Sequence, residues 1–480
     1  VRRRIRPSLV ARCAVVAALA TAAPSLLALP ANAGESAPAA RPAGLAPQPD
    51  FDGDGHADVA SSAPGGTIGG LAEAGYVVVV YSSSGGVETE RRHVISQATA
   101  GVPGSPAAGG RFGHRTVARD LDGDGYTDLA VETPGTSSVT VLWGSRFGLD
   151  GGTVLPVSAG TNGDSLTGGD FNGDGHADLV GVSSLSEEWG DLRILYGPFT
   201  RAGAPARTAD VPTGRVFEPR DLVAGDVTGD GRDDLVSLHD FEEMTEPAIF
   251  WRGTATGLAR GSASPGRGAT AVIGDVDGDG YGDLVMRMVP GGVNEDLPYD
   301  EGSLKVVYGT ADGPGTRTAV IDQDTAGVPG AGEAGDQFGA ALAAGDGTGD
   351  GRADIAVGVP HEDLPAGADA GAVVLLKGGT GGLSGSGARA FHQDTAGVPG
   401  IAEAGDRFGS ALALQDTDGD GRDDLAAGAP LEDGSFRDSG AVWVLRGAAD
   451  SLTTTGIVSF GPSAFGAPEA GARLGGALPR

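Results

Sequence analysis

Apolar residues fall in short, regularly spaced runs separated by stretches rich in glycine, proline and aspartate. In the sixth of seven similar units the runs are FGAALAAGD (Phe338 to Asp346), DIAVGVP from Asp354, GAVVLLKG and ARAFHQ. The seventh unit repeats them as FGSALALQD, DLAAGAP, GAVWVLRG and GIVSFGP. Each run is apolar at its centre and bounded by turn residues, which predicts four short strands per unit. Units two to five keep the third run, as SVTVLWG, DLRILYG, AIFWRG and SLKVVYG, but the first runs of units three to five have lost the Phe-Gly opening.

Between the first and second runs stands an aspartate-rich nonapeptide, present seven times. Positions 1, 3, 5, 7 and 9 are Asp50, Asp52, Asp54, His56 and Asp58 in the first copy, and Asp120, Asp122, Asp124, Tyr126 and Asp128 in the second. The third has Asp170, Asn172, Asp174, His176 and Asp178; the fourth has Asp226, Thr228, Asp230, Arg232 and Asp234. The fifth has Asp275, Asp277, Asp279, Tyr281 and Asp283, and the sixth Asp346, Thr348, Asp350, Arg352 and Asp354. The seventh has Asp416, Asp418, Asp420, Arg422 and Asp424.

Alternate residues of a tight loop turn their carboxylates to one side, and oxygen ligands at that density suit Ca²⁺. Glycine at position 6, Gly55 in the first copy, supplies the left-handed backbone that a side chain resists. The turn then aims the position-7 carbonyl at the ion, so the identity of that side chain is expected to matter little. An EF-hand would place a bidentate glutamate at position 12 and helices on both sides. Here the last carboxylate is at position 9 and the flanks are β-rich, so the loop is read as a strand-flanked calcium cage. Seven cages imply up to seven Ca²⁺. Asn172 is a neutral donor that should be tolerated, while Thr228 and Thr348 leave fewer charges and weaker cages.

Successive first aspartates lie 70, 50, 56, 49, 71 and 70 residues apart. Periods of about 40–50 residues with several strands each mark propeller blades, the longer ones carrying insertions. The expected fold is all-β, a seven-bladed β-propeller of four-stranded antiparallel blades over residues 50–480. Nothing ahead of Asp50 reads as a first strand. EAGARLGGALPR at the C-terminus aligns with EAGDRFGSALAL of the seventh unit, so the last residues are expected to supply the innermost strand of blade one and close the ring.

The units resemble the FG-GAP repeat family, the blades of the integrin α-subunit N-terminal propeller and of many secreted bacterial proteins. The resemblance rests on Phe112-Gly113, Phe338-Gly339 and Phe408-Gly409 ahead of their cages, and on Gly358 to Pro360 and Gly428 to Pro430 behind them. It implies that the face away from the cages, made of second-to-third loops and interblade connectors, is where a ligand docks.

Composition sharpens the setting. Residues 1–33 carry a basic start, an apolar run and Ala-x-Ala at Ala31 to Ala33, the pattern of a secretory signal peptide. Residues 34–49 read as a proline-rich linker. The single cysteine, Cys13, lies in the signal, so ions rather than disulfides would staple an extracellular chain. Formal charge is −31, and loss of the signal's five arginines makes it −36. Seven divalent ions would bring it to −22, still acidic enough to argue against nucleic acid and unaided docking to anionic membranes. No second hydrophobic span follows the signal, and a monomer is expected.

No H-E-x-x-H, G-x-S-x-G or P-loop motif occurs. His361-Glu362-Asp363 is the one compact acid/base cluster, and its simplest reading is a solvated loop. Exposed aromatics beside carboxylates, Trp189 and Tyr299, would suit sugar stacking or a basic protein patch. The leading expectation is a secreted, calcium-stabilised module that binds an extracellular protein or glycan, with more reason to expect a binder than an enzyme. The alternatives are a polysaccharide- or phospholipid-degrading enzyme with its site at the central channel mouth, and a structural cell-surface protein without a dedicated ligand.

Overall fold

The computed structural model describes residues 48–158, 160, 165–183 and 190–479. The expected signal at 1–33 and residues 34–47 of the expected linker lie outside that range, as does Trp189. The described strands form six four-stranded antiparallel sheets and one three-stranded sheet, arranged as the seven blades of a propeller. Blade six shows the plan: Ala341–Gly345 innermost, then Asp354–Val359, Ala372–Leu376 and Arg389–Phe391 at the rim. In six blades the cage joins the first strand to the second. Every cage therefore lies on one face, and second-to-third loops and interblade connectors lie on the other.

The inner three strands of blade six are almost wholly buried, while the rim strand is half-exposed. The first two strands pack face to face with their counterparts in the next blade, as Ala341, Ala343 and Ala356 do against Leu412, Leu414 and Leu425. Alanine and glycine dominate the inner strands because they crowd towards the axis.

Ring closure uses both ends of the described chain. Blade one has only Val59–Ala63, Tyr76–Val80 and Arg92–Ile95 as strands. Its inner place is filled in two pieces. Ala477 bridges Ser62 antiparallel, with the Ser62 N–H donating to the Ala477 carbonyl at 3.0 Å. Pro49 accepts from the Asp58 N–H at 2.6 Å, where Gly345 pairs with Asp354 in blade six. The C-terminal closure expected from sequence is thus half of the seam, and Gln48 and Pro49 supply the rest.

The Phe-Gly dipeptides precede the first strands instead of opening them. Phe408 donates its N–H to Ala370 of blade six at 2.9 Å, and the neighbouring Arg407 N–H reaches the Asp369 carbonyl at 3.2 Å. Gly371 makes room: it has φ +87°, and a Cβ there would sit 2.4 Å from the Phe408 carbonyl oxygen. The same clasp recurs with Phe112 on Ala74, Phe338 on Glu301 and Leu474 on Ser439. All four clasping side chains are fully buried.

The junctions without Phe-Gly use polar contacts. Arg115 of blade two donates to the Leu166 carbonyl of blade three and to Asp221 of blade four, both at 3.0 Å. The other oxygen of Asp221 accepts from the Thr270 hydroxyl of blade five at 3.1 Å. One buried ion pair thereby ties four blades across the channel mouth.

Truncating a clasp should be costly. Phe408→Ala is expected to destabilise by ~3–5 kcal/mol, the cost of emptying a buried aromatic site. Urea denaturation of the metal-loaded protein measures it, and a loss below about 1 kcal/mol would show that the clasp is not a main inter-blade tie.

Candidate metal centres

Each cage is organised by its own backbone before any ion is considered. Asp50 Oδ1 accepts the N–H groups of Gly53 at 2.7 Å and Asp54 at 3.1 Å, and Oδ2 accepts that of Gly55 at 2.9 Å. Asp120, Asp170, Asp275, Asp346 and Asp416 do the same. The position-9 aspartate is the anchor to the sheet. Asp58 takes the Phe51 N–H at 2.8 Å and the Ser82 N–H, past the end of the third strand, at 2.9 Å.

Three carboxylates converge within 4.8 Å in four cages: Asp50, Asp52 and Asp58; Asp120, Asp122 and Asp128; Asp275, Asp277 and Asp279; Asp416, Asp418 and Asp420. Those clusters could hold a metal ion. The cages carrying Asn172, Thr228 or Thr348 do not gather three carboxylates, because position 3 contributes none. Asn172 Nδ2 instead donates to Asp174 at 2.8 Å.

The inward atoms fit a cation. Asp52 Oδ1, Asp122 Oδ1 and Asp277 Oδ1 are buried without a hydrogen-bond partner among the described residues. In each aspartate the other oxygen is held from outside by an arginine: Arg91 on Asp52, Arg201 on Asp122 at 2.8 Å and Arg317 on Asp277 at 2.5 Å. Arg446 holds Asp418 likewise. These arginines orient the ligand carboxylates from behind, as outer-shell partners do at metal sites. Sequence reading missed them, since Arg446 comes from the third strand, Arg91 and Arg317 from just ahead of the fourth, and Arg201 from the next blade.

Position 7 departs from expectation. Its side chain lies over the position-4 glycine of the preceding cage at all seven junctions. A Cβ on Gly53 would fall 2.6 Å from the Tyr126 ring, and one on Gly419 would fall 2.8 Å from His56. Identity varies, yet every occupant is a ring or an arginine, because the contact needs reach and a flat or extended surface. A backbone bond runs alongside at six of the seven junctions, all but that of cages two and three: the position-8 N–H donates to the position-1 carbonyl of the preceding cage. Thr127 reaches Asp50 at 2.8 Å, Asp423 reaches Asp346 at 2.9 Å, and Ala57 reaches Asp416 across the seam at 3.0 Å.

Burial pushes the position-9 carboxyls up, against the pull of their backbone donors. Asp128, Asp178, Asp283 and Asp354 rise to about 7, and Asp234 and Asp424 to about 6. Neighbouring cage aspartates add to the rise, most often those at positions 1 and 3.

The acid/base cluster resolves as a structured loop. His361 Nδ1 meets Asp369 Oδ1 at 2.8 Å, and Glu362 accepts from Gln323 at 2.7 Å. Tyr299 is 76% exposed and packs against no neighbouring blade as a buried ring would.

Comparison with known proteins agrees with this architecture. The FG-GAP repeat model matches residues 48–80, 338–376 and 408–445, and an FG-GAP-like repeat model matches 120–181. The chain therefore carries FG-GAP repeats in a seven-bladed propeller. It is 29% identical over 177 residues to the phosphatidylinositol-glycan-specific phospholipase D of Rattus norvegicus, covering 34% of this chain and 21% of that protein. Among solved structures, the Kuenenia stuttgartiensis hydrazine synthase aligns with TM-score 0.42 and 12% identity over 86% of this chain and 97% of that one. AofleA from Arthrobotrys oligospora aligns with TM-score 0.37 and 11% identity over 73% and 87%. Among the described residues no helix is long and apolar enough to cross a membrane.

Two expectations follow. Gly53→Val combines a φ of +72° with collision against Tyr126, so it should disturb cages one and two together. Elemental analysis should then show more than one cation lost; loss of one alone would mean the cages are independent. Metal-free protein should lose stability as pH rises from about 4 to about 7, because the fold holds these protons more tightly than the unfolded chain does. A bound cation should flatten that fall, and melts across the window with and without a chelator test it.

Proposed function

We propose that this FG-GAP propeller is an exported, calcium-stabilised binding module whose ligand docks on the loop face, away from the cages. Ca²⁺ suits the hard, multi-oxygen donor sets described above, and it is held to be structural. In each cage, positions 1, 3 and 5 would ligate through side chains and position 7 through its carbonyl, while position 9 anchors the loop to the sheet and, in cages one and two, also joins the carboxylate cluster. At a calcium concentration 100 times the Kd, each filled site would add about 2.7 kcal/mol by linkage.

The observation that carries the binding reading is where apolar side chains meet water. Of the large apolar residues exposed among the described ones, Leu71, Val216, Tyr299, Ile401 and Phe436 lie on second-to-third loops or interblade connectors, and Phe241 and Met244 are the paired strand ends that flank the second-to-third turn of blade four. Only Phe147 lies towards the cage face, and Val154 and Val320 lie on rim strands. A protein without a partner gains nothing from concentrating apolar surface on one face. The basic, apolar, Ala-x-Ala start supports export.

A second reading comes from the phospholipase relative. This chain spans about a fifth of that protein's length, so hydrolysis of a lipid-linked glycan is an alternative to be assayed alongside binding.

The test is retention of calcium-loaded protein on cell-wall and plant polysaccharides and on extracellular-matrix protein, with product analysis of each mixture. Retention abolished by EGTA and cut ~10-fold or more by Tyr299→Ala with Phe436→Ala, as expected for aromatic anchors, supports the module. Released product supports the enzyme. Retention indifferent to both substitutions would remove the loop face from the argument. Elemental analysis near seven calcium ions, with a large fall in Tm on chelation, is expected of the same preparation.

A further inference from the structure

The central channel opens on the loop face into a basin of about 540 Å³. Its wall carries four basic side chains, His114, Arg115, Arg407 and Arg473, and no carboxylate. The chain has 64 acidic residues against 33 lysines and arginines, so a wall of this sign runs against composition. Beneath it Leu342, Leu412 and Leu478 make an apolar floor.

Two of the cations have no structural employment. Arg115 is engaged with Asp221, but neither Arg407 nor Arg473 makes an ion pair or a side-chain hydrogen bond, and the Nε of Arg407 is buried without an acceptor. A buried guanidinium N–H left unmatched is costly unless a ligand completes it. Both residues hold φ +58°, immediately before a clasping Phe-Gly or Leu-Gly. That turn does not require arginine, since Gln337 adopts it at φ +60° in blade six. The field at the mouth is positive: burial, then Arg111 and Arg115, hold the His114 imidazole towards its neutral form.

We propose that this basin binds a small organic oxyanion, a carboxylate or phosphate ester on a body about the size of a sugar ring. Arg407 and Arg473 grip its oxygens and the leucine floor supports its body. Forked guanidinium donors suit planar carboxylate and tetrahedral phosphate alike, and the volume falls in the range of small-molecule pockets. The inference rests on the binding reading above for its choice of face and adds the chemistry of the ligand.

Calorimetric titration of the calcium-loaded full chain with glucose 6-phosphate, glucuronate and glucose tests it. Saturable binding of at least one anion and none of glucose is expected, the tighter anion identifying the head group. Arg407→Gln and Arg473→Gln keep a turn that Gln337 already adopts, so the fold should persist by thermal melt. Each should weaken the anion by ~10-fold or more, the worth of a charge-assisted bond. No anion binding, equal binding of glucose, or Gln variants that bind like the parent chain would overturn the proposal. Tyr299→Ala with Phe436→Ala should leave the titration unchanged. A failed basin and a failed outer loop face are then told apart.

Discussion

The bond that runs, at six of the seven junctions, from the position-8 amide of one cage to the position-1 carbonyl of the cage before it makes the blades interdependent. It runs along the rim where the carboxylates are concentrated, beside a side chain from each cage laid over the glycine of its neighbour. The most repulsive part of the molecule is therefore also the most cross-linked. Fixed backbone donors and arginines from behind offset part of that repulsion. The inward oxygens that remain unmatched are where a bound cation would offset the rest.

That arrangement separates two tasks by face. The cage rim is short-looped, glycine-rich and committed to holding the ring together. The opposite rim bears the long insertions, most of the exposed aromatics and the cationic basin. It can vary because the clasps and the Arg115–Asp221 tie hold the blades at its base. Loops on such a scaffold change without disturbing the core.

Much of this was legible in the sequence because it is periodic. Seven nonapeptides and the repeated third run identify blades, strand number and cage positions, since local turn chemistry and alternating burial are short-range properties. What escaped was relational. Position 7 looked free because its varied residues share no chemistry, only a contact with another loop more than 50 positions away. Arg91, Arg201, Arg317 and Arg446 carry no motif, and their role exists only once the third and fourth strands bring them behind the cage. The Phe-Gly dipeptides were read as strand openings, whereas burial against the preceding blade makes them clasps. Blades three to five looked degenerate for lack of them, although a buried ion pair does the equivalent work there.

The two-piece inner strand of blade one has a consequence for the order of assembly. During synthesis the valine-rich Tyr76–Val80 strand and its partner Val59–Ala63 emerge early, but Ala477, which pairs with Ser62, follows all the other blades in the chain. Until then blade one offers an open, apolar β edge to whatever is nearby. The nascent protein is thus most vulnerable to mispairing with another copy of itself just before the ring closes. The seam that completes the ring also ends that exposure.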